Sequence, residues 1–186
     1  MKKLLIIALA AFAAFTAQAQ QMGKVNFQEL VMLMPEMDAA RETMSASQKE
    51  AEETYASMVE EYQSKATQYQ QKSASWTAAI KESKEKELMD IQNRIQEFQQ
   101  SISQELQQQQ SQLTAPIQEK ANKAVTEIAK AKGLAILFDA TQAIYFDDKV
   151  VVDLTAEARK ALNIPEGRTL ETLQAELQAQ AQAAQK

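Results

Sequence analysis

Glu52-Glu53, Glu60-Glu61 and Asp147-Asp148 set two carboxylates side by side along the chain. Paired carboxylates can share a proton or hold a divalent ion, but only when both converge on one point. Adjacent residues of a helix point in different directions. The sequence also holds no His and no Cys, which removes the commonest general base, the commonest metal ligand and the thiol nucleophile. No Gly-rich phosphate loop of the GxxxxGK type is present. The acidic pairs therefore read as solvated surface, and no catalytic, cofactor-binding or metal-ligating residue is assigned. Enzymatic function is not expected.

A second group of residues suits contact rather than reaction. Met is flexible and polarizable, and Tyr and Trp combine apolar area with a polar end. Met37, Met44, Ala51 and Met58 recur every seven residues, and Tyr55, Tyr62, Tyr69 and Trp76 form a second row offset by four. Met44, Tyr55, Met58, Tyr62, Tyr69, Trp76 and Ile80 are the candidates for holding an apolar partner by many weak contacts. The same spacing makes an a/d seam between two helices, and it favours that use of the rows. Trp76 is the exception, because the seam runs out there.

The elements that position these rows are marked by the breakers. The chain has three Gly and three Pro. Pro35 suits the first position of a helix, and Gly133 suits the position just past a helix end, with Lys130 and Lys132 in the last turn. Residues 36–132 thus read as helix, about 145 Å long as one rod. A fold-back is more economical. In the second half Leu88, Ile91, Ile95, Phe98 and Ile102 step by three and four, and the register slips after Leu106. Between the two seams Ser73, Ser75 and Thr77 are helix-start residues, which puts a hairpin tip at about 73–79. The hairpin, 35–116, has little core. Gln107–Gln112 holds no apolar residue, and over 36–115 acids outnumber bases 14 to 8. Pro116 is expected to kink the returning helix.

The flanking segments, 20–34 and 117–162, read as a small strand-rich body. Lys24–Phe27 is expected as a strand and Gln28–Met34 as a short helix. Leu134–Phe138 and Ala143–Phe146 are dense in β-formers and are expected as strands joined by Asp139–Gln142, with Val150–Val152 a third. Asp153–Leu162 reads as a closing helix capped by Asp153 or Thr155. Strands this short bury little alone and leave open edges. We expect strands from several chains to complete a shared body. The interface candidates are Val25, Phe27, Leu30, Leu134, Ile136, Phe138, Ile144, Phe146 and Val151. The remainder, 163–186, is rich in Ala and Gln. Leu170, Leu173 and Leu177 share a helical face there, but the composition favours a frayed tail.

Residues 1–19 carry Lys2 and Lys3, an apolar run from Leu4 to Phe15 and Ala17-Gln18-Ala19, the pattern of a secretory signal peptide cleaved after about Ala19. Export follows, with no stable membrane insertion; the periplasm as destination is what the resemblance below implies. The formal net charge is −5, and losing Lys2 and Lys3 makes the rest more acidic. That balance argues against nucleic acid as a partner. The expected class is mainly α with a small β body: a long antiparallel helical hairpin on a short strand-rich base shared between chains, which the resemblance described next makes a trimerisation base.

Lys24–Met37, "KVNFQELVMLMPEM", resembles the first strand and helix of the Skp/OmpH periplasmic chaperones. Gly133–Leu162, and in particular "FDATQAIYF" and "DLTAEARKAL", resembles their C-terminal strands and final helix. The resemblance implies a homotrimer whose hairpins surround a cavity that holds unfolded outer-membrane β-barrel proteins without ATP. The best-known member of that family is basic, whereas this chain is acidic, including on its hairpin, so no lipopolysaccharide contact is carried over. The competing reading is a structural or adaptor coiled coil of the cell envelope that binds no unfolded protein.

Overall fold

The computed structural model describes residues 21–184, so the expected leader at 1–19 lies outside the described residues. The chain divides into two compact units. One comprises 21–37 with 116–184, and the other 38–115.

The first unit is built around β1 (Met22–Val25). β2 (Ile136–Asp139) and β3 (Val151–Asp153) flank it in the order β2-β1-β3, both parallel to it, with Met22 opposite both Ile136 and Val151. Parallel pairing requires long connections, and the helices between β1 and its neighbours supply them. β1 starts and ends two residues earlier than expected. Asn26 is the reason: it caps α1 (Phe27–Leu33), with Oδ1 accepting the Glu29 N–H at 3.1 Å and Nδ2 donating to the Glu29 carboxylate. This reciprocal pairing meets two polar needs at once and pulls Phe27 into the helix.

Met34 is extended at ψ 140°, as the residue before a proline must be, and α2 (Pro35–Lys72) starts at once with Pro35 in its first turn. α3 (Ala78–Ala131) continues through Pro116 as one helix. Ile117, Ala121, Val125 and Ala129 recur every fourth residue along α3 and are all buried, with Leu30, Leu33, Leu154 and Leu162 among the other core residues of the unit. α3 stops as its C-terminal residues suggest. Gly133 stands at φ +67°, its N–H donates to the Lys130 carbonyl, and the Leu134 N–H donates to the Ala129 carbonyl. These are the two bonds of a Schellman cap. A Cβ at Gly133 meets no atom within 4 Å, so Gly133→Ala isolates the backbone term. It is expected to cost about 1 to 2 kcal/mol in a denaturant titration, the penalty of left-handed backbone for an L-residue.

Two expectations for the first unit are corrected. Ala143–Phe146 is not a strand; a 3-10 turn at Ala140–Gln142 leads into a segment outside the sheet. β-forming composition gives a strand only where the backbone pairs with a neighbour, and among the described residues this segment pairs with none of the three strands. Among the described residues, those after Ile164 do not form a frayed tail. Leu170–Ala184 forms α5, which packs on α1 together with α4 (Thr155–Ala161), and Leu173 is 3% exposed. The turn into α5 is fixed by polar contacts. Asn163 (φ 55°) and Gly167 (φ 81°) reverse the backbone. The Arg159 guanidinium pairs with Glu29 at 3.3 Å and donates to the Pro165 and Arg168 carbonyls. Thr169 and Thr172 cap α5 mutually.

In the second unit α2 and α3 are joined through a 3-10 turn at Ser73–Ser75, followed by Trp76 and Thr77. Lys72 closes α2, the Ser75 hydroxyl donates to its carbonyl at 2.8 Å, and Thr77 caps α3 by accepting the Ile80 N–H. Cross-links run between progressively distant residues: Tyr69 with Glu85, Lys65 with Glu87, Glu61 with Arg94 and Ser47 with Gln109. Such a series defines an antiparallel hairpin. The protein is thus mainly α, a long helical hairpin with a small three-stranded sheet.

Candidate functional site

The candidate surfaces fall on the two units separately. On the hairpin, the heptad rows face the partner helix only in part. Among the described residues of the second unit, Ala40 and Ile91 alone are fully buried. Met44, Met58, Tyr62, Tyr69 and Trp76 are half-buried, and Tyr55 and Ile80 are exposed. A two-helix seam buries one narrow stripe and leaves the flanks of each side chain in water. The rows therefore contribute to the seam and present apolar surface at the same time. Met89, not among the candidates, is more exposed than any of them at 60%. Its place outside the three-four stepping of Leu88 and Ile91 is the signal that marks it.

Near the turn the structure brings Tyr69 and Trp76 together, ring centroids 5.7 Å apart at 68°, an edge-to-face pair. The Tyr69 hydroxyl donates to Glu85, and that bond holds the phenol above its usual range. Glu87 accepts from Lys65 and from Lys84, and these bonds, Lys65 first, lower its carboxyl from 4.5 to about 2. A carboxyl lowered in the folded state favours folding above its unfolded value, and the benefit fades as pH falls through the folded value. The pairing near the turn is thus expected to persist from neutrality to about pH 4.5 and to be lost between there and about pH 2. A carboxyl-shift NMR titration should place the Glu87 midpoint near 2, and Lys65→Met should move it up toward the ordinary range.

The acidic pairs are separated by their bonding. Asp148 pairs with Lys24 at 2.6 Å, whereas Asp147 accepts the Lys149 N–H at 3.0 Å. Glu61 turns to Arg94 and Glu53 lies 3.9 Å from Lys49. The Lys24 ammonium also stands 5.4 Å from the Phe146 ring centroid, which ties the segment after β2 to the central strand.

The interface candidates separate into two sets. Val25 and Leu30 are 2% and 0% exposed and belong to the protomer's own core, and Val151 is buried beside them in class. Phe27, Leu134 and Phe146 are half-buried. Ile136 and Phe138 are exposed at 47% and 40%, on one face of β2, and Ile144 is fully exposed. Tyr145 and Val150, which the sequence reading passed over, are exposed too. An edge strand carrying two exposed large apolar residues is a feature that proteins ordinarily cover.

The model of the OmpH-like outer membrane protein family matches residues 21–162, and the chain belongs to that family. The match spans β1 through α4 and stops before α5. It is a family of periplasmic chaperones connected with outer membrane proteins, not of enzymes. No curated protein matches the chain. No helix among the described residues is long and apolar enough to cross a membrane.

Proposed function

We propose that the chain is an ATP-independent periplasmic holdase that acts as a homotrimer and keeps unfolded outer-membrane β-barrel proteins soluble between its hairpins. Membership of the OmpH-like family over 21–162 carries this reading. Two features support it. The exposed apolar residues of β2 and the segment after it offer a surface for copies of the chain to share. The half-buried Met and aromatic rows offer many weak, adaptable contacts along the hairpin, and linking such contacts raises avidity without one strong site. The client-binding residues of this proposal are Met44, Tyr55, Met58, Tyr62, Tyr69, Trp76 and Ile80.

Native mass spectrometry of 20–186 tests it, alone and after a urea-unfolded outer-membrane barrel is diluted into it. A trimer that becomes a three-plus-one complex and keeps the barrel soluble is the expected result. A trimer that ignores the barrel would leave a spacer or adaptor, and a monomer in both samples would remove the shared base.

A further inference from the structure

We propose that an open slot between α2 and α3 in the second unit takes a basic, apolar segment of an unfolded polypeptide. The inference rests on the chaperone reading and specifies the chemistry of the client.

The slot is lined along α2 by residues from Ser47 to Thr54 and along α3 by residues from Phe98 to Gln112. The Ser47–Gln109 cross-link lies within that lining, and Glu61–Arg94 is the next cross-link toward the turn among the described residues. Between them no hydrogen bond or ion pair among the described residues joins the helices. A cavity of about 640 Å³ opens there, and most of its lining side chains are polar, Thr54 and Gln108 among them. Its cause is visible in the heptad row. Met37, Met44 and Met58 carry long side chains, but the row drops to Ala51 at the slot. Opposite, Phe98, Ile102 and Leu106 form an apolar floor, and each is only half-buried. The floor is therefore unfilled apolar surface that a client side chain can cover.

Charge selects which segment enters. Glu50 and Glu105 line the slot, both are exposed, and neither carboxylate has an ion-pair or hydrogen-bond partner among the described residues. This differs from Glu61 and Glu87, whose carboxylates are neutralised by Arg or Lys. Unpaired carboxylates beside an apolar floor complement a segment that alternates Lys or Arg with large apolar residues. An acidic segment of equal hydrophobicity meets like charge at the same place.

The test uses the full mature chain and two labelled synthetic peptides of identical apolar residues, one with Lys and the other with Glu at the alternate positions. Fluorescence anisotropy gives both dissociation constants. The expected result is a preference of about tenfold or more for the basic peptide, equivalent to about 1.4 kcal/mol. Glu50→Gln with Glu105→Gln, a change of charge without change of shape, should erase that preference. Ala51→Phe should fill the slot and weaken both peptides, with helix content by circular dichroism as its control. If Ala51→Phe disturbs the hairpin, the paired glutamine variant decides alone. Equal binding of the two peptides by the native chain, or a preference that survives the paired variant, would overturn the proposal. Suppression of barrel aggregation by the native chain is measured in parallel. Its loss counts against the holdase reading, whereas peptide selectivity counts for or against the slot.

Discussion

Replacing Phe138 and Ile144 together by aspartate is expected to leave the chain monomeric at concentrations where the proposed trimer of the native chain forms. In the isolated protomer both residues already face water, Phe138 at 40% and Ile144 completely. Their replacement should cost the protomer little, since surface changes away from special features usually stay within about 0.5 kcal/mol. In the proposed trimer the same change occurs three times. Each new carboxylate would be taken out of water beside apolar surface without a partner, which costs several kcal/mol per site at the order-of-magnitude level. Helix content should be retained while light scattering or native mass spectrometry reports the monomer mass. Leu30→Asp is the informative contrast. Leu30 lies inside the protomer's own core, so that variant should unfold the strand-bearing unit rather than release folded monomers. A double aspartate variant that stays trimeric would place the shared surface elsewhere.

The second large effect is expected at Leu173. Its side chain is 3% exposed and sits on a helix packed on α1, outside the residues that the family match covers. Leu173→Ala should lower the stability of the first unit by about 2 to 3 kcal/mol, toward the low end for a buried leucine because α5 lies at the unit's margin. Leu177→Ala, at 40% exposed on the same helix, should change it by less than about 0.5 kcal/mol. Urea unfolding followed by a probe in the sheet distinguishes them. Equal small effects would mean that α5 contributes nothing to the unit in solution.

The parts of the fold fixed by backbone chemistry were readable from the residues. Pro35 fixes its own φ and Gly133 permits the positive φ of a helix cap, and α2 begins and α3 ends where those two residues direct. Ser73, Ser75 and Thr77 likewise compete with the helical ladder through their own side chains, and the turn falls among them. What depends on distant partners was not readable. Ala143–Phe146 has the composition of a strand, but composition does not tell whether a neighbouring strand pairs with it. Leu170, Leu173 and Leu177 have the spacing of a docked helix, but their low-complexity surroundings hid the partner, α1, and the contacts of Arg159 that orient the turn. The interface residues show the same limit. Val25 and Ile136 are both β-branched strand residues, and nothing in their type tells that one faces inward and the other outward.

The sheet order has a consequence for how the chain folds. β1 is the central strand, yet it leads the described chain, and both of its neighbours come after the entire hairpin. A strand made before both of its neighbours waits with both edges open until the last third of the chain arrives. Sheets of such high contact order form slowly, because closing the intervening loop must precede any pairing. A hairpin that zips through local contacts shortens that loop. Substitutions at the Ser73–Thr77 turn are therefore expected to slow the appearance of sheet signal in stopped-flow refolding while leaving its final amplitude unchanged. Until that step is complete, β1 is itself an unpaired strand in the compartment where such strands aggregate.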